Sequence, residues 1–320
     1  MLRFHLVDVF ATEPLTGNPL AVVENGDGLP LRVLHHIARE FNQSETTFVL
    51  PPTRAGADWR LRSFTAAGAE VFGAGHNALG AWWWLARSRK LTLAGRSTVL
   101  HQEIGDRVLP VTISRIGRRV DAIAMAQEAP VLGTRVDDVA LLARALGLSS
   151  SELATDRVPC QVVFTGAPHL MVPIRDAAAV DRIQPDAAAL LDVLRLAGAE
   201  GCYVFSLDPR RSEAIAYTRF FNPTVGIWED PATGTAAGPL AAHLVANGLA
   251  RAEHVLTIEQ GTAIGRTSLI QVEMRGGIPI VSGRAVVVAS GRLFLGPLLT
   301  ARGSGAPPLT AAVDPLAPCG

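Results

Sequence analysis

The sequence predicts a mixed α/β (α+β) protein of two similar domains. Three observations point there: short apolar strand segments alternate with helical ones, a set of short motifs recurs in the same order about 150 residues later, and the composition supplies ample core. The chain has 320 residues, 48% of them hydrophobic and 18% charged, a globular composition long enough for about two domains. Lys plus Arg and Asp plus Glu both number 29, so the chain lacks the basic excess of a general nucleic-acid binder. The longest strongly apolar run, Ala78 to Ala86, is far short of the roughly 20 residues that span a bilayer. Met1-Leu2-Arg3-Phe4-His5 does not open a secretory signal. Cys160, Cys202 and Cys319 stand too far apart for a CxxC motif or a disulfide framework. These features predict a soluble, cytoplasmic protein with no membrane or nucleic-acid partner.

In the first half, Phe4–Val9 and Leu20–Val23 have strand character, the second following the Gly17-Asn18-Pro19 turn. Leu31–Phe41 has helical spacing, with Leu31, Leu34, Ile37, Ala38 and Phe41 on one side. Thr46–Leu50 and Trp59–Phe64 follow as strands. A glycine-rich turn then opens a helix over Ala78–Arg87, and strands are expected at Ser97–His101 and Arg107–Ser114. In the second half, helices are expected at Asp137–Leu146, Asp186–Leu196 and Gly238–Ala246. Strands are expected at Pro159–Phe164, His169–Pro173, Cys202–Ser206, Ala214–Phe221, His254–Glu259, Leu269–Met274 and Arg284–Ala289.

Thr16-Gly17-Asn18-Pro19 recurs as Thr165-Gly166-Ala167-Pro168, Arg62-Ser63-Phe64 as Arg219-Phe220-Phe221, and Gly75-His76-Asn77-Ala78 as Gly234-Thr235-Ala236-Ala237. The offsets drift upward from 149 through 157 to 159, as small insertions in a duplicated domain would produce. The repeat divides the chain into 1–125 and 126–298, with a strand near 290–298 able to complete the first domain and 299–320 as a loose tail rich in Pro, Ala and Gly. Each half carries a glycine-containing turn leading into an apolar helix. Free N–H groups and the dipole at such a start attract anions, so two starts facing each other would bracket a small acid. Close helix packing is the alternative use of the glycines.

The candidate side chains cluster at these places. His76 stands at the first helix start, either as a cap or core residue or as a group that bonds substrate; the helix dipole is expected to keep it neutral. Glu45, between a helix and an apolar strand, is either a surface glutamate or a partly buried general base. Asp230 either caps the second helix or orients substrate, and Thr235 either caps or donates its hydroxyl. Gly73-x-Gly75-x-x-Ala78 matches a dinucleotide fingerprint in letters only, since Leu91–His101 holds no acidic residue. His35-His36 has no third ligand nearby, so no metal site is expected. Trp82-Trp83-Trp84 covers nearly the whole girth of a helix, which fits core plus interface and leaves room for a homodimer.

Val7-Asp8-Val9-Phe10, Gly17-Asn18-Pro19, Ala38 through Thr46, Glu229 through Ala236, and Gln260-Gly261 with Gly265-Arg266-x-Ser268 resemble the phenazine-biosynthesis isomerase (PhzF-like) family, from about Phe4 to Leu295. The resemblance implies the diaminopimelate-epimerase fold: two pseudo-symmetric domains, each a curled, mostly antiparallel sheet around a central helix, with the active site between them. It implies a cofactor-independent isomerase acting on a small carboxylate-bearing molecule of the dihydro-hydroxyanthranilate kind. In that reading Glu45 is the catalytic acid/base. His76, Asp230, Thr235, Gly75, Gly234 and Asn18 contact substrate or relay protons, and no metal is used. Racemisation of an amino or hydroxy acid and silent binding of a small acid are the alternatives. Ala74 before the first cradle glycine, and the absence of Cys from Asp230–Thr235, argue against a two-thiol epimerase. The first turn, Phe64-Thr65-Ala66-Ala67-Gly68-Ala69-Glu70, departs from the family by lacking a proline, and Asn77 stands where small residues or proline are common.

Overall fold

The computed structural model describes residues 2–296. The expected tail at 299–320, the end of the expected strand near 290–298, and Cys319 lie outside these residues. Eighteen strands pair into one continuous ribbon that passes through two lobes of the same layout. In the first lobe, Ala285–Leu293 pairs antiparallel with Leu2–Val9, which pairs antiparallel with Asn18–Glu24. Thr46–Leu50 joins in parallel and Trp59–Phe64 antiparallel. Ser97–Ile104 is added in parallel, then Arg107–Ile116 and Arg119–Ala126 antiparallel.

The second lobe repeats this order with Val131–Arg135, Gln161–Phe164, Pro168–Pro173, Gly201–Ser206, Ala216–Asn222, Leu256–Gln260, Ser268–Arg275 and Ile278–Gly283. Its two parallel pairings fall at the same two steps. The lobes join where Ile278–Gly283 pairs with Arg119–Ala126. The recurring motifs therefore occupy equivalent strands. One strand is permuted: the outermost strand of the first lobe, Ala285–Leu293, comes from the far end of the described chain.

Among the described residues six α-helices accompany the strands: α1 Leu31–Phe41, α2 His76–Arg87, α3 Val139–Ala145, α4 Ala177–Arg182, α5 Ala187–Ala197 and α6 Gly234–Ala246. Each lobe's sheet curls round one of them, α2 or α6. Neither has a polar stripe: His76 through Leu85 are all buried, as are nearly all residues of Gly234–Leu244. A helix apolar all round must be enclosed. Gly80 makes the enclosure tight, because a Cβ there would lie 2.6 Å from Leu20 Cδ2 and 2.7 Å from Val9 Cγ2. All three tryptophans of α2 are spent on this chain's own core, with Trp82 Nε1 donating to Gln102 Oε1 at 2.8 Å.

Helix α6 begins one turn before the expected Gly238. Pro239 stands inside it, where its missing N–H leaves the Thr235 carbonyl without the usual helical donor. Five strands escape the sequence pattern: Arg119–Ala126 and Val131–Arg135 have mixed or exposed surfaces, Ile278–Gly283 contains Pro279 and ends on Gly283, and Glu70–Val71 and Ile227–Asp230 are very short. Cys160 and Cys202 lie in a second core beneath α3, α4 and α5. No helix among the described residues is long and apolar enough to cross a membrane.

Candidate active site

Helix α1 buries Val33, Leu34, Ile37 and Ala38 and is closed by Asn42, whose left-handed backbone (φ 48°) directs its N–H to the Ala38 carbonyl. The turn that follows sets Glu45 immediately ahead of the fully buried strand Thr46–Leu50. His76 is the first residue of α2. Its Nε2 lies 2.7 Å from Glu45 Oε2, and the two side chains are only 10% and 14% exposed. Neither atom has a further hydrogen-bond partner, and the separation is that of a charge-assisted pair. Burial pulls the His76 pKa down. The Glu45 carboxylate, by charge and by bonding, and then the charge of Asp230 outweigh it and leave the pKa raised. The expected downward shift of His76 is thereby corrected: the two carboxylates outweigh burial and move its pKa up.

Asp230 ends the strand Ile227–Asp230. Burial pushes its carboxyl up to about 6, with the Glu45 charge adding to the rise. The His76 charge and hydrogen bonds from Thr233 and Asn18 oppose it. Asn18 comes from the other lobe: its Nδ2 donates to Asp230 Oδ1 at 2.8 Å and to the Ala232 carbonyl at 2.9 Å. Arg266 makes a second tie across the lobes. Its Nε donates to the Gly17 carbonyl at 2.8 Å, and its Nη2 to the Thr16 carbonyl at 2.9 Å and to Asp8 Oδ1 at 2.7 Å. Gly17 is required at this turn: its φ is +68°, and a Cβ would fall 2.4 Å from the Val9 carbonyl oxygen.

The two helix starts approach each other. A Cβ on Gly75 would lie 3.8 Å from Thr235 Cγ2, and neither α2 nor α6 has a side-chain cap. In α6 the Ala236 N–H is taken by the Thr233 carbonyl at 3.0 Å; the other first-turn N–H groups of the two helices have no side-chain cap, the kind of donors that attract an anion. Thr235 is half-buried. The missing side chain of Gly234 faces Phe10 Cζ at 3.3 Å, so at this position smallness serves packing.

Asn77, the departure in the first turn, has a structural task. Its Oδ1 accepts from the Gly75 N–H at 2.9 Å, and its Nδ2 donates to the Gly73 carbonyl and to Ser63 Oγ, each at 3.0 Å. Glu45, His76, Asp230 and Asn18 thus meet at one place, with Gly75 and Thr235 beside them. Two residues that the sequence reading left without a role, Thr233 and Gln260, also reach Asp230. Gln260 Nε2 donates to the Asp230 main-chain oxygen at 2.7 Å, and Thr233 Oγ1 donates to Asp230 Oδ2 at 2.5 Å. Their prior signals were the Gln260-Gly261 motif and, for Thr233, the motif from Glu229 through Ala236.

The family profile described as phenazine biosynthesis-like protein (PhzC-PhzF) matches residues 7–291. The chain belongs to this family. A trans-2,3-dihydro-3-hydroxyanthranilate isomerase of Pseudomonas aeruginosa is 36% identical over 300 residues, covering 92% of this chain and all of the relative. A PhzF-family phenazine biosynthesis protein of Bacillus anthracis superposes with a TM-score of 0.81 at 27% identity, covering 92% of this chain and 99% of the other. A probable proline racemase of Agrobacterium radiobacter shares the fold at a TM-score of 0.62 and 13% identity, covering 93% and 94% of the two chains. The architecture is accordingly the diaminopimelate-epimerase fold, and the chain is an isomerase of the PhzF-like family.

Proposed function

We propose that this isomerase moves a proton between two carbons of a small carboxylate-bearing substrate of the dihydro-hydroxyanthranilate kind, with Glu45 removing and returning the proton. The observation that carries the reading is the Glu45–His76 contact at 2.7 Å, at the seam where the two uncapped helix starts meet and within reach of the Asp230 charge. The relatives named for trans-2,3-dihydro-3-hydroxyanthranilate support the substrate class.

In this mechanism the first-turn N–H groups near Gly75 and Gly234 receive the anionic oxygen of the substrate, with Asn18, Asp230 and Thr235 lining its place. Glu45 takes the proton as the C–H bond breaks, and the electron pair delocalises toward the substrate's unsaturated system and carboxylate. His76, whose protonated form is favoured by its two carboxylate neighbours, would offer positive charge where negative charge develops. The same Glu45 then gives the proton to a second carbon on the same face, so atoms and charge balance with no further reagent.

Racemisation by a thiol pair finds no support among the described residues. Cys160 and Cys202 sit in the core of the second lobe, where burial pushes the Cys160 thiol up to about 12 and the Cys202 thiol higher. The test is turnover of trans-2,3-dihydro-3-hydroxyanthranilate by wild type and Glu45→Gln. The variant should lose about 10²- to 10⁴-fold in kcat while still binding the compound by calorimetry. Near-wild-type rates would reject the role of Glu45, and binding without turnover by wild type would favour the silent binder.

A further inference from the structure

Behind Asp230 stands a polar group that the mechanism above does not use. Gln260 ends the strand Leu256–Gln260 and is fully buried. Every hydrogen-bonding place on its amide is filled. Nε2 donates to the Asp230 main-chain oxygen at 2.7 Å and to Thr233 Oγ1 at 3.0 Å. Oε1 accepts from the Thr233 N–H at 3.1 Å and from the Tyr203 hydroxyl at 2.9 Å. The amide can sit only this way round. Reversed, it would set donor against the Thr233 N–H and acceptor against the Asp230 carbonyl. Burial raises the Tyr203 pKa, so its hydroxyl stays protonated and serves as the donor to Gln260.

The proton inventory follows. Thr233 Oγ1 carries one proton and already accepts from Gln260 Nε2. Its own proton is therefore directed at Asp230 Oδ2, 2.5 Å away. We infer that Gln260, acting through Thr233, is a positioning residue that orients the threonine hydroxyl toward Asp230 and thereby keeps this carboxylate ionised. It touches neither Glu45 nor His76 and is not a catalytic residue. Without it, the hydroxyl is free to turn away, and a buried carboxylate that loses a donor holds its proton to higher pH.

The charged and titratable groups facing Asp230 are few. His76 on α2 favours its ionised form, and Glu45 ahead of Thr46–Leu50 opposes it. Tyr203 on Gly201–Ser206 feels the Asp230 charge and stays neutral. Asn18 adds a neutral donor. The adjacent Glu229 is paired with Arg219 at 2.7 Å. A substrate carboxylate arriving at the seam would press Asp230 toward protonation, and the Gln260–Thr233 pair resists this.

The inference rests on the proposed reading of the site, but its primary readout does not require turnover. The full-length protein, labelled with ¹³C at aspartate carboxyls, is titrated by NMR, with Asp230→Asn assigning the resonance. Thr233→Val, which exchanges one hydroxyl for a methyl, should raise the Asp230 midpoint by about one pH unit. Gln260→Met should move it the same way, and Thr233→Ser should return it to the wild-type value. If Gln260→Met does not fold, Thr233→Val carries the test. An Asp230 midpoint in Thr233→Val equal to wild type overturns the inference. The acid limb of kcat/KM for trans-2,3-dihydro-3-hydroxyanthranilate should shift with the midpoint. A shifted midpoint with no turnover of that compound supports the inference and counts against the proposed substrate alone.

Discussion

The two lobes carry the same arginine–glutamate fork, open in one and sealed in the other. In the first lobe Arg62 grips Glu70 at 2.7 and 2.8 Å and lies over Phe64 at 5.1 Å. In the second, Arg219 grips Glu229 at 2.9 and 2.7 Å and lies over Phe221 at 4.9 Å. The first pair is 28% and 24% exposed, the second 9% and 4%. The difference comes from Arg219 Nη1, which also donates to the Val180 and Ile183 carbonyls at the end of α4, each at 2.9 Å. The sealed fork braces the strand that ends in Asp230, while the open one precedes the looser turn that leads to Gly75. Duplication thus left the sealed electrostatic anchor in the second lobe, while Glu45, the proposed proton carrier, stands in the first.

This contrast can be broken by experiment. Arg219→Met leaves a buried glutamate unpaired and strands two carbonyls, so unfolding stability should fall by about 3–5 kcal/mol. Arg62→Met should cost under about 1 kcal/mol, because its ion pair is partly solvated. Chemical denaturation of both variants decides the matter, and equal losses would mean that the two forks are equivalent.

A subtler asymmetry lies two strands away, where buried Leu20 of the first lobe corresponds to buried His169 of the second. Neither ring nitrogen of His169 has a partner, and burial pulls its pKa down to about 4. The folded chain therefore holds His169 neutral, and the unfolded chain protonates it near 6.5. Stability is fully present above that pH and is lost as pH falls toward 4, by about 3 kcal/mol in all. His169→Leu should flatten the decline in melting temperature between pH 7.5 and 4.5. A decline as steep as wild type would show that this histidine is not the source of acid lability.

Much of the fold is legible in the sequence where one physical signal acts alone. Helix α1 and the strands Thr46–Leu50 and Trp59–Phe64 fall on the expected residues because amphipathic or apolar runs meet turn residues at both ends. Motif order reveals the duplication because Gly, Pro and Arg hold equivalent turns and forks in both lobes. Arg119–Ala126 and Ile278–Gly283 are hidden because each earns its place by pairing across the lobe junction, a contact that no local pattern reports. Within the site, position beside turns and helix starts leaves Glu45, His76 and Asp230 open between structural and functional roles, and only the family resemblance singles them out together with Asn18. The upward shift of the His76 pKa is not legible either, since it is set by carboxylates far away in sequence. Gln260 reads as an ordinary polar residue at a strand end until its four partners are seen together.

The central claim is that one sheltered carboxylate carries a proton from one carbon to another. The most direct measurement uses substrate deuterated at the donor carbon, turned over in ordinary water, with the product analysed by NMR. A single shielded Glu45 predicts deuterium at the accepting carbon well above the solvent level. Complete washout of the label, with only solvent hydrogen at that carbon, would contradict it.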